Sequence, residues 1–391
     1  MDKRYFIVLG ACMTQFMVIG LLISFGVFFQ AFEAEFGWSR ATISSFTALA
    51  MFMMGTFAII GGRSSDRFDP RIVLGITGCL FGFGYAMMSQ VTELWQMYLI
   101  FGLFISAGMA THDVVTLSTI GRWFEKRRGI MTGVVKTGTA VGQFTLPPIC
   151  AFLILQVGWK EAVIILGVTA GVVLLIGASL VKPAPAPDAV HTASEAPPMT
   201  FADARRTRQF WTICAIQFLF FPTLTSIPLH MAVHGADLGM TPTLAATLLS
   251  TMGAVSAVGR LLVGQFSDKI GGRNAYILCF VPLILALVLL ILVRDHYVLF
   301  AVIALYGFAH GGFFTVVAPT IAESFGTKAL GTIFGPVVFC GTCAGAVSPI
   351  VLGWIYDTQG SYVIGFAGLA GLATLGPILA TTLKRGRVAA G

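Results

Sequence analysis

The sequence predicts an all-α, polytopic membrane protein, with twelve transmembrane helices arranged as two six-helix pseudo-repeats. Three observations predict it. Of 391 residues, 57% are hydrophobic and only 10% charged, and the mean hydropathy is +0.88. Soluble domains carry about 25% charged residues. Apolar runs long enough to cross a bilayer, ~20 residues each, recur along the chain. A set of glycines, prolines and charges also recurs at a constant offset of 202 positions.

The spans read in order as 5–31, 41–62, 72–90, 94–120, 129–156 and 161–182, then 209–235, 242–266, 274–293, 297–322, 329–356 and 360–383. The first follows Met1-Asp2-Lys3-Arg4 and is too long for the apolar core of a signal peptide, so it reads as a membrane helix. Glycine and proline recur inside several spans, which membrane helices tolerate better than soluble ones. Small residues four apart, such as Gly138/Gly142 and Gly341/Gly345, predict close helix approach. Between spans six and seven, Pro183, Pro185, Pro187, Pro197 and Pro198 mark a flexible linker. The chain therefore divides into a six-helix bundle at 1–182, a cytoplasmic linker at 183–208 and a second bundle at 209–391.

Lysine and arginine set the orientation. With the N-terminus inside, the cytoplasmic segments hold 19 of the 24 and the outer loops hold three, Arg40, Lys160 and Arg294. That asymmetry predicts both termini in the cytoplasm. It also accounts for the net charge of +7 as a topology signal, so no nucleic-acid partner is expected. The seven cysteines are scattered and form no disulfide framework. Cys340-Gly341-Thr342-Cys343 lies in a membrane-length apolar run and reads as small packing residues. Neither metal-ligand spacing nor a nucleophile–base motif is present, so no enzyme and no cofactor are expected.

At the 202-residue offset, Gly62 matches Gly264, Asp66 matches Asp268 and Arg71 matches Arg273. Gly133 likewise matches Gly335, and Pro147 matches Pro349. The offset copies six spans, an even number, so the two copies share orientation. Parallel repeats of this kind place a substrate site near the midplane and permit rocking access.

Arg260 is the foremost candidate for binding. No acid or base lies within six residues of it, and an arginine at membrane depth costs about 2.5–3.5 kcal/mol. It stands eight residues from Asp268, about 12 Å into the bilayer. A guanidinium is permanently charged and can grip a carboxylate through two parallel hydrogen bonds. His310, midway along span ten, is a second candidate for lining the site. Asp113 and Lys136 lie at similar depth on antiparallel spans, which makes them a buried ion pair, a proton-coupling group together with His112, or, through Lys136, a second contact for the anion. The duplicated stretches Gly62-x-x-x-Asp66-Arg67-x-x-x-Arg71 and Gly264-x-x-x-Asp268-Lys269-x-x-x-Arg273 read as charged turns after spans two and eight.

Six plus six spans with those two stretches resemble the major facilitator superfamily over nearly the whole chain. The resemblance implies that Asp66, Arg67, Arg71, Asp268, Lys269 and Arg273 form a cytoplasmic gate. A narrower resemblance is to monocarboxylate transporters. It rests on Arg122-Trp-Phe-Glu-Lys-Arg-Arg-Gly-Ile-Met-Thr-Gly133 entering span five, on Val255-Ser256-Ala-Val-Gly-Arg260 in span eight and on Gly307-Phe-Ala-His310-Gly in span ten. It implies proton-linked transport of lactate-like anions, with Arg260 as the anion grip. Two departures stand out. Ser256 occupies the place where that family often carries an aspartate, and span one lacks its lysine. Oxalate/formate exchangers are also similar, but they use a second cation in span eleven, and 329–356 contains none. A drug/proton antiporter is disfavoured because Gly142 is followed by Gln143 rather than proline.

The expectation is thus a secondary transporter moving L-lactate, pyruvate or a similar monocarboxylate with a proton by alternating access. An exchanger of the oxalate/formate type, or another organic-acid carrier, is the alternative. Its partners would be the anion, the proton and the lipid bilayer. It would act as a monomer in the inner membrane of a bacterium.

Overall fold

A computed structural model describes residues 3–38, 40–184 and 199–384. The linker prolines 185, 187, 197 and 198, and the arginines at 385 and 387, lie outside the described residues. Among the described residues the chain is helical, without a strand. Eleven helical stretches are long and apolar enough to cross a membrane. One of them belongs to Pro242–Leu292, a 51-residue stretch broken at Gly271, whose φ of 77° and ψ of 163° no helix adopts. Divided there, the stretches number twelve.

We label these α1 (Lys3–Ser24), α2 (Arg40–Arg67), α3 (Pro70–Met87), α4 (Leu94–Trp123), α5 (Arg128–Val157) and α6 (Trp159–Leu180). The remainder are α7 (Arg208–Asp237), α8 (242–270), α9 (272–292), α10 (His296–Phe325), α11 (Leu330–Gln359) and α12 (Val363–Thr381). Side chains close several of the helix starts. Asp69 accepts from the Arg71 amide at 2.9 Å, ahead of Pro70 at the first helical position of α3. Asp295 accepts from the Val298 amide at 2.9 Å at the start of α10. Each capping oxygen satisfies an amide that the first helical turn leaves without a partner.

The two duplicated stretches each straddle a turn. They take in the last turn of α2 or α8, which run on to Arg67 and to 270, then the break at 68–69 or at Gly271, and end with Arg71 and Arg273 in the first turns of α3 and α9. Ser65 and Ser267 donate to the carbonyls of Gly62 and Gly264, at 3.0 and 2.8 Å, and so occupy acceptors near the helix ends.

The chain forms two compact units. Unit 1 gathers Met1–Glu125, Val134–Pro198 and Thr327–Phe339, while unit 2 gathers Lys126–Gly133, Met199–Gly326 and Cys340–Gly391. In unit 1, glycines bring α1 against α5. A Cβ on Gly138 would lie 2.4 Å from the Cys12 carbonyl oxygen, and one on Gly142 2.2 Å from that of Phe16. In unit 2, a Cβ on Gly311 of α10 would lie 2.0 Å from the Ser256 carbonyl oxygen of α8. Only glycine permits that approach, and it sets the spacing of the two helices that carry Arg260 and His310. Large apolar side chains such as Leu155 and Phe144 are 83% and 75% exposed, as a lipid-facing surface requires.

Candidate functional site

Unit 2 holds Arg260 as one of its most enclosed side chains, 1% exposed. Its guanidinium lies over the Phe314 ring, 5.6 Å from the centroid. Such a contact contributes about 0.5–2 kcal/mol when desolvated. Ser256 and Arg260 stand one turn apart on α8, and His310 and Phe314 one turn apart on α10, so the two pairs share facing helix surfaces. The Ser256 hydroxyl lies 3.4 Å from His310 Nδ1, and the His310 ring is 5.4 Å from that of Phe314. Tyr306 continues the face one turn further, its ring 5.7 Å from His310 and its hydroxyl donating to the Thr223 carbonyl at 2.8 Å. The arrangement joins a permanent cation, a titratable ring and a hydroxyl to aromatic walls. Chemically, such a set can pair with a small anion at one end and enclose an apolar group at the other.

The start of α5 packs on this site. A Cβ on Gly133 would lie 2.4 Å from the Arg260 carbonyl oxygen. In unit 1, the repeat mate Gly335 stands in the same relation to Ala58, at 2.3 Å. Ala58 is 202 residues before Arg260. The glycine pair is therefore a packing device common to both units, and the arginine is what distinguishes unit 2 at that position.

Unit 1 contains the second polar cluster. Lys136 pairs with the Asp113 carboxylate, the two being 3% and 9% exposed. Gln15 of α1, completely buried, clasps both. Its Nε2 donates to Asp113 Oδ1 at 2.9 Å and to the His112 carbonyl at 2.9 Å. Its Oε1 accepts from Thr139 at 2.9 Å and lies 3.5 Å from Lys136 Nζ. His112 Nε2 lies 3.4 Å from Asp113 Oδ1, while its Nδ1 meets the Met109 carbonyl. Sequence reasoning passed over Gln15. The signal that could have found it is the 202-residue offset, which matches Gln15 with Gln217.

At the charged helix ends, each aspartate caps another helix. Asp66 accepts from the amides of Gly331 at 3.1 Å and Thr332 at 2.7 Å, at the start of α11, and also pairs with Arg122. Arg122 donates further to the Ser65 carbonyl at 3.1 Å. Asp268 accepts from the amides of Gly129 at 2.6 Å and Ile130 at 3.0 Å, at the start of α5. A carboxylate is favoured at both places by the unsatisfied amides and the positive end of the helix dipole. The glycines of the motif are needed here too. A Cβ on Gly62 would lie 2.1 Å from the Gly331 carbonyl oxygen, and one on Gly264 2.5 Å from that of Gly129. Arg67 and Lys269 are exposed, while Arg71 and Arg273 are half-buried.

Comparison with known proteins places this architecture. The family profile of the Major Facilitator Superfamily matches residues 6–293 and 225–389, so the chain belongs to that superfamily. It is a multi-pass membrane transporter rather than an enzyme. "MFS-type transporter 1" of Ophiocordyceps is 29% identical over 342 residues, covering 85% of this chain and 74% of the relative. "Monocarboxylate transporter 13" of Bos taurus is 27% identical over 365 residues, covering 93% of this chain and 85% of the relative. Among solved structures, the Major Facilitator Superfamily transporter FucP in the outward conformation superposes with a TM-score of 0.76 at 15% identity. That match covers 98% of this chain and all of FucP.

Proposed function

We propose that the chain carries a small monocarboxylate, L-lactate, pyruvate or a close analogue, across the membrane together with a proton. The observation that carries this reading is Arg260, a permanent cation enclosed in unit 2 beside Phe314, with His310 and Ser256 on the adjoining turns. Arg260 grips the carboxylate, His310 adds a hydrogen bond, and the aromatic face encloses the tail. The bovine relative's name supports the substrate class. Lys136 is engaged by Asp113, which favours one carboxylate over two. Binding neutralises the arginine and lowers the cost of the conformational change that opens the site to the other side. Asp66, Arg67, Arg71, Asp268, Lys269 and Arg273 act as the cytoplasmic gate in that exchange. The charge asymmetry of the loops supports cytoplasmic termini, here in a bacterial plasma membrane, with the single chain as the working unit.

Uptake of labelled L-lactate into proteoliposomes, with and without an inward proton gradient, tests the reading. Gradient-stimulated uptake is expected for the wild type. Arg260→Ala abolishes it, and Arg260→Lys weakens it because lysine lacks the bidentate fork. Wild-type uptake by Arg260→Ala overturns the assignment. An exchanger would instead require substrate on the far side and ignore the gradient, which counterflow detects.

A further inference from the structure

The end of unit 2 remote from Asp268 and Arg273 carries a second titratable cluster that the anion site does not use. His230 and His234 stand one turn apart on α7, next to the end of α11, which carries Asp357, and to Tyr362, which directly precedes α12. His230 is half-buried and engaged at both ring nitrogens. Nε2 lies 3.2 Å from the Pro349 carbonyl oxygen, and Nδ1 lies 3.1 Å from the Tyr362 hydroxyl. A carbonyl only accepts, so the neutral ring carries its hydrogen on Nε2. That leaves Nδ1 to accept from Tyr362.

Tyr362 can supply that hydrogen throughout the physiological range. It is 5% exposed, and burial pushes its phenol up to about 12, with Asp237, Tyr356 and Asp357 acting in the same sense. Its ring is stacked on Tyr356 at 4.4 Å and on Phe366 at 5.6 Å, so the hydroxyl is held in place against Nδ1. The charged groups around the pair are Asp357 towards His230, and Asp237 with Arg294 towards His234. Burial of the ring works against a charge on it, while the exposed carboxylates of Asp357 and Asp237 act in the opposite sense and lie where a proton would arrive.

We propose that His230 is a proton-binding site, loaded from the exposed end of unit 2 and read out by Tyr362. A proton arriving on Nδ1 turns that nitrogen from acceptor to donor. The Tyr362 hydroxyl then accepts at its oxygen and directs its own hydrogen elsewhere, so the link between α7 and the start of α12 is rearranged. No bond to carbon changes, and the proton leaves from Nδ1 when the pH rises. The protonation stands on this geometry alone; its role as the transported proton rests on the anion–proton reading above.

The test uses the full-length protein in nanodiscs with ¹⁵N-labelled histidine rings. The His230 resonances, assigned by their loss in His230→Asn or their shift in Tyr362→Phe, are followed from pH 5 to 8.5. The expected result is a single titration of Nδ1 in that window. In parallel, initial L-lactate uptake at external pH 6 is divided by that at pH 8. The wild-type ratio exceeds 1 severalfold, and in His230→Gln, which still donates to Pro349 but takes no proton, it falls to about 1. A ring that stays neutral or stays charged across the window overturns the proposal, as does an unchanged ratio in His230→Gln. A ring that titrates in a protein carrying no lactate supports the site and fails the substrate reading alone.

Discussion

Gln15 and Asp113 are joined by a 2.9 Å hydrogen bond in which the amide donates and the carboxylate accepts, and the same amide's oxygen faces Thr139 and Lys136. One neutral side chain thus bridges both members of a buried ion pair. Replacing it with leucine takes the acceptor from the Thr139 hydroxyl and one of the donors from Asp113 Oδ1, which keeps Lys136. A buried hydroxyl left unsatisfied costs about 1–3 kcal/mol. Gln217 holds the matching place in the second half, yet its Oε1 is buried without a hydrogen-bond partner. Gln15→Leu is therefore expected to lower the unfolding midpoint of the detergent-solubilised protein, whereas Gln217→Leu leaves it unchanged or raises it. Equal losses would contradict the assignment.

The Asp113–Lys136 pair yields a test by double substitution. Removing one member strands the other charge in a dry interior and costs about 3–5 kcal/mol. Removing both strands neither. Asp113→Asn and Lys136→Met are each expected to lower the thermal midpoint more than the double variant does. Transport separates the roles further. If the pair only holds α4 to α5, the double variant keeps gradient-stimulated uptake; if Asp113 carries the proton, it keeps counterflow alone.

Much of this arrangement was legible in the sequence, for physical reasons. Apolar runs of bilayer length, the loop charges and the 202-residue offset are one-dimensional signals, and they led to an all-α membrane fold with a repeat. Arg260 and Lys136 were visible because a charge inside an apolar run is costly. Gln15 was not, because it carries no charge to single it out and its meaning comes from two helices over 90 residues away. Phe314 was hidden for the opposite reason, one aromatic among 33 phenylalanines. The apolar spans stop at 62 and 266, but the helices run on to 67 and 270, because a helix can continue through polar residues whose side chains find partners of their own.

Asp66 and Asp268 are repeat mates with unequal duties. Both cap a helix start, but only Asp66 pairs in addition with Arg122. An asparagine at either place keeps an acceptor and loses the charge. Loss of a cap alone costs about 0.5–2 kcal/mol, and a charge-assisted bond adds to it. Asp66→Asn is expected to destabilise more than Asp268→Asn in thermal unfolding. Arg122→Gln should remove the difference.

Outside the membrane, Lys160 holds the Glu35 carboxyl below its ordinary range, by a 2.7 Å hydrogen bond and by its charge. A carboxyl depressed in the folded state stabilises it above the unfolded value and ceases to do so as pH falls through the folded value. Lys160→Met is thus expected to lower the thermal midpoint slightly at pH 6. The gap between wild type and variant should begin to close only once the pH drops below the ordinary glutamate value of about 4.3, and should vanish as the pH passes through the depressed folded value. Both side chains are exposed, so 1 M salt should shrink the gap as well. A gap that widens on acidification would contradict the pairing.

The approach of α10 to α8 offers the sharpest check on the anion site. A Cβ at Gly311 would meet the Ser256 carbonyl oxygen at 2.0 Å, and backbone cannot swing aside as a long side chain can. Gly311→Ala must therefore part the two helices, carrying His310 and Phe314 away from Ser256 and Arg260. Arg260 itself is untouched in this variant, so any loss comes from geometry rather than from charge. A displacement of 1 Å in a binding constellation can cost about 100-fold in rate. Uptake by Gly311→Ala is expected to fall by at least tenfold. Gly312→Ala, whose Cβ would press on the Val263 side chain instead, should lose less. Equal uptake in the two variants would mean that the spacing of α8 and α10 does not set the site.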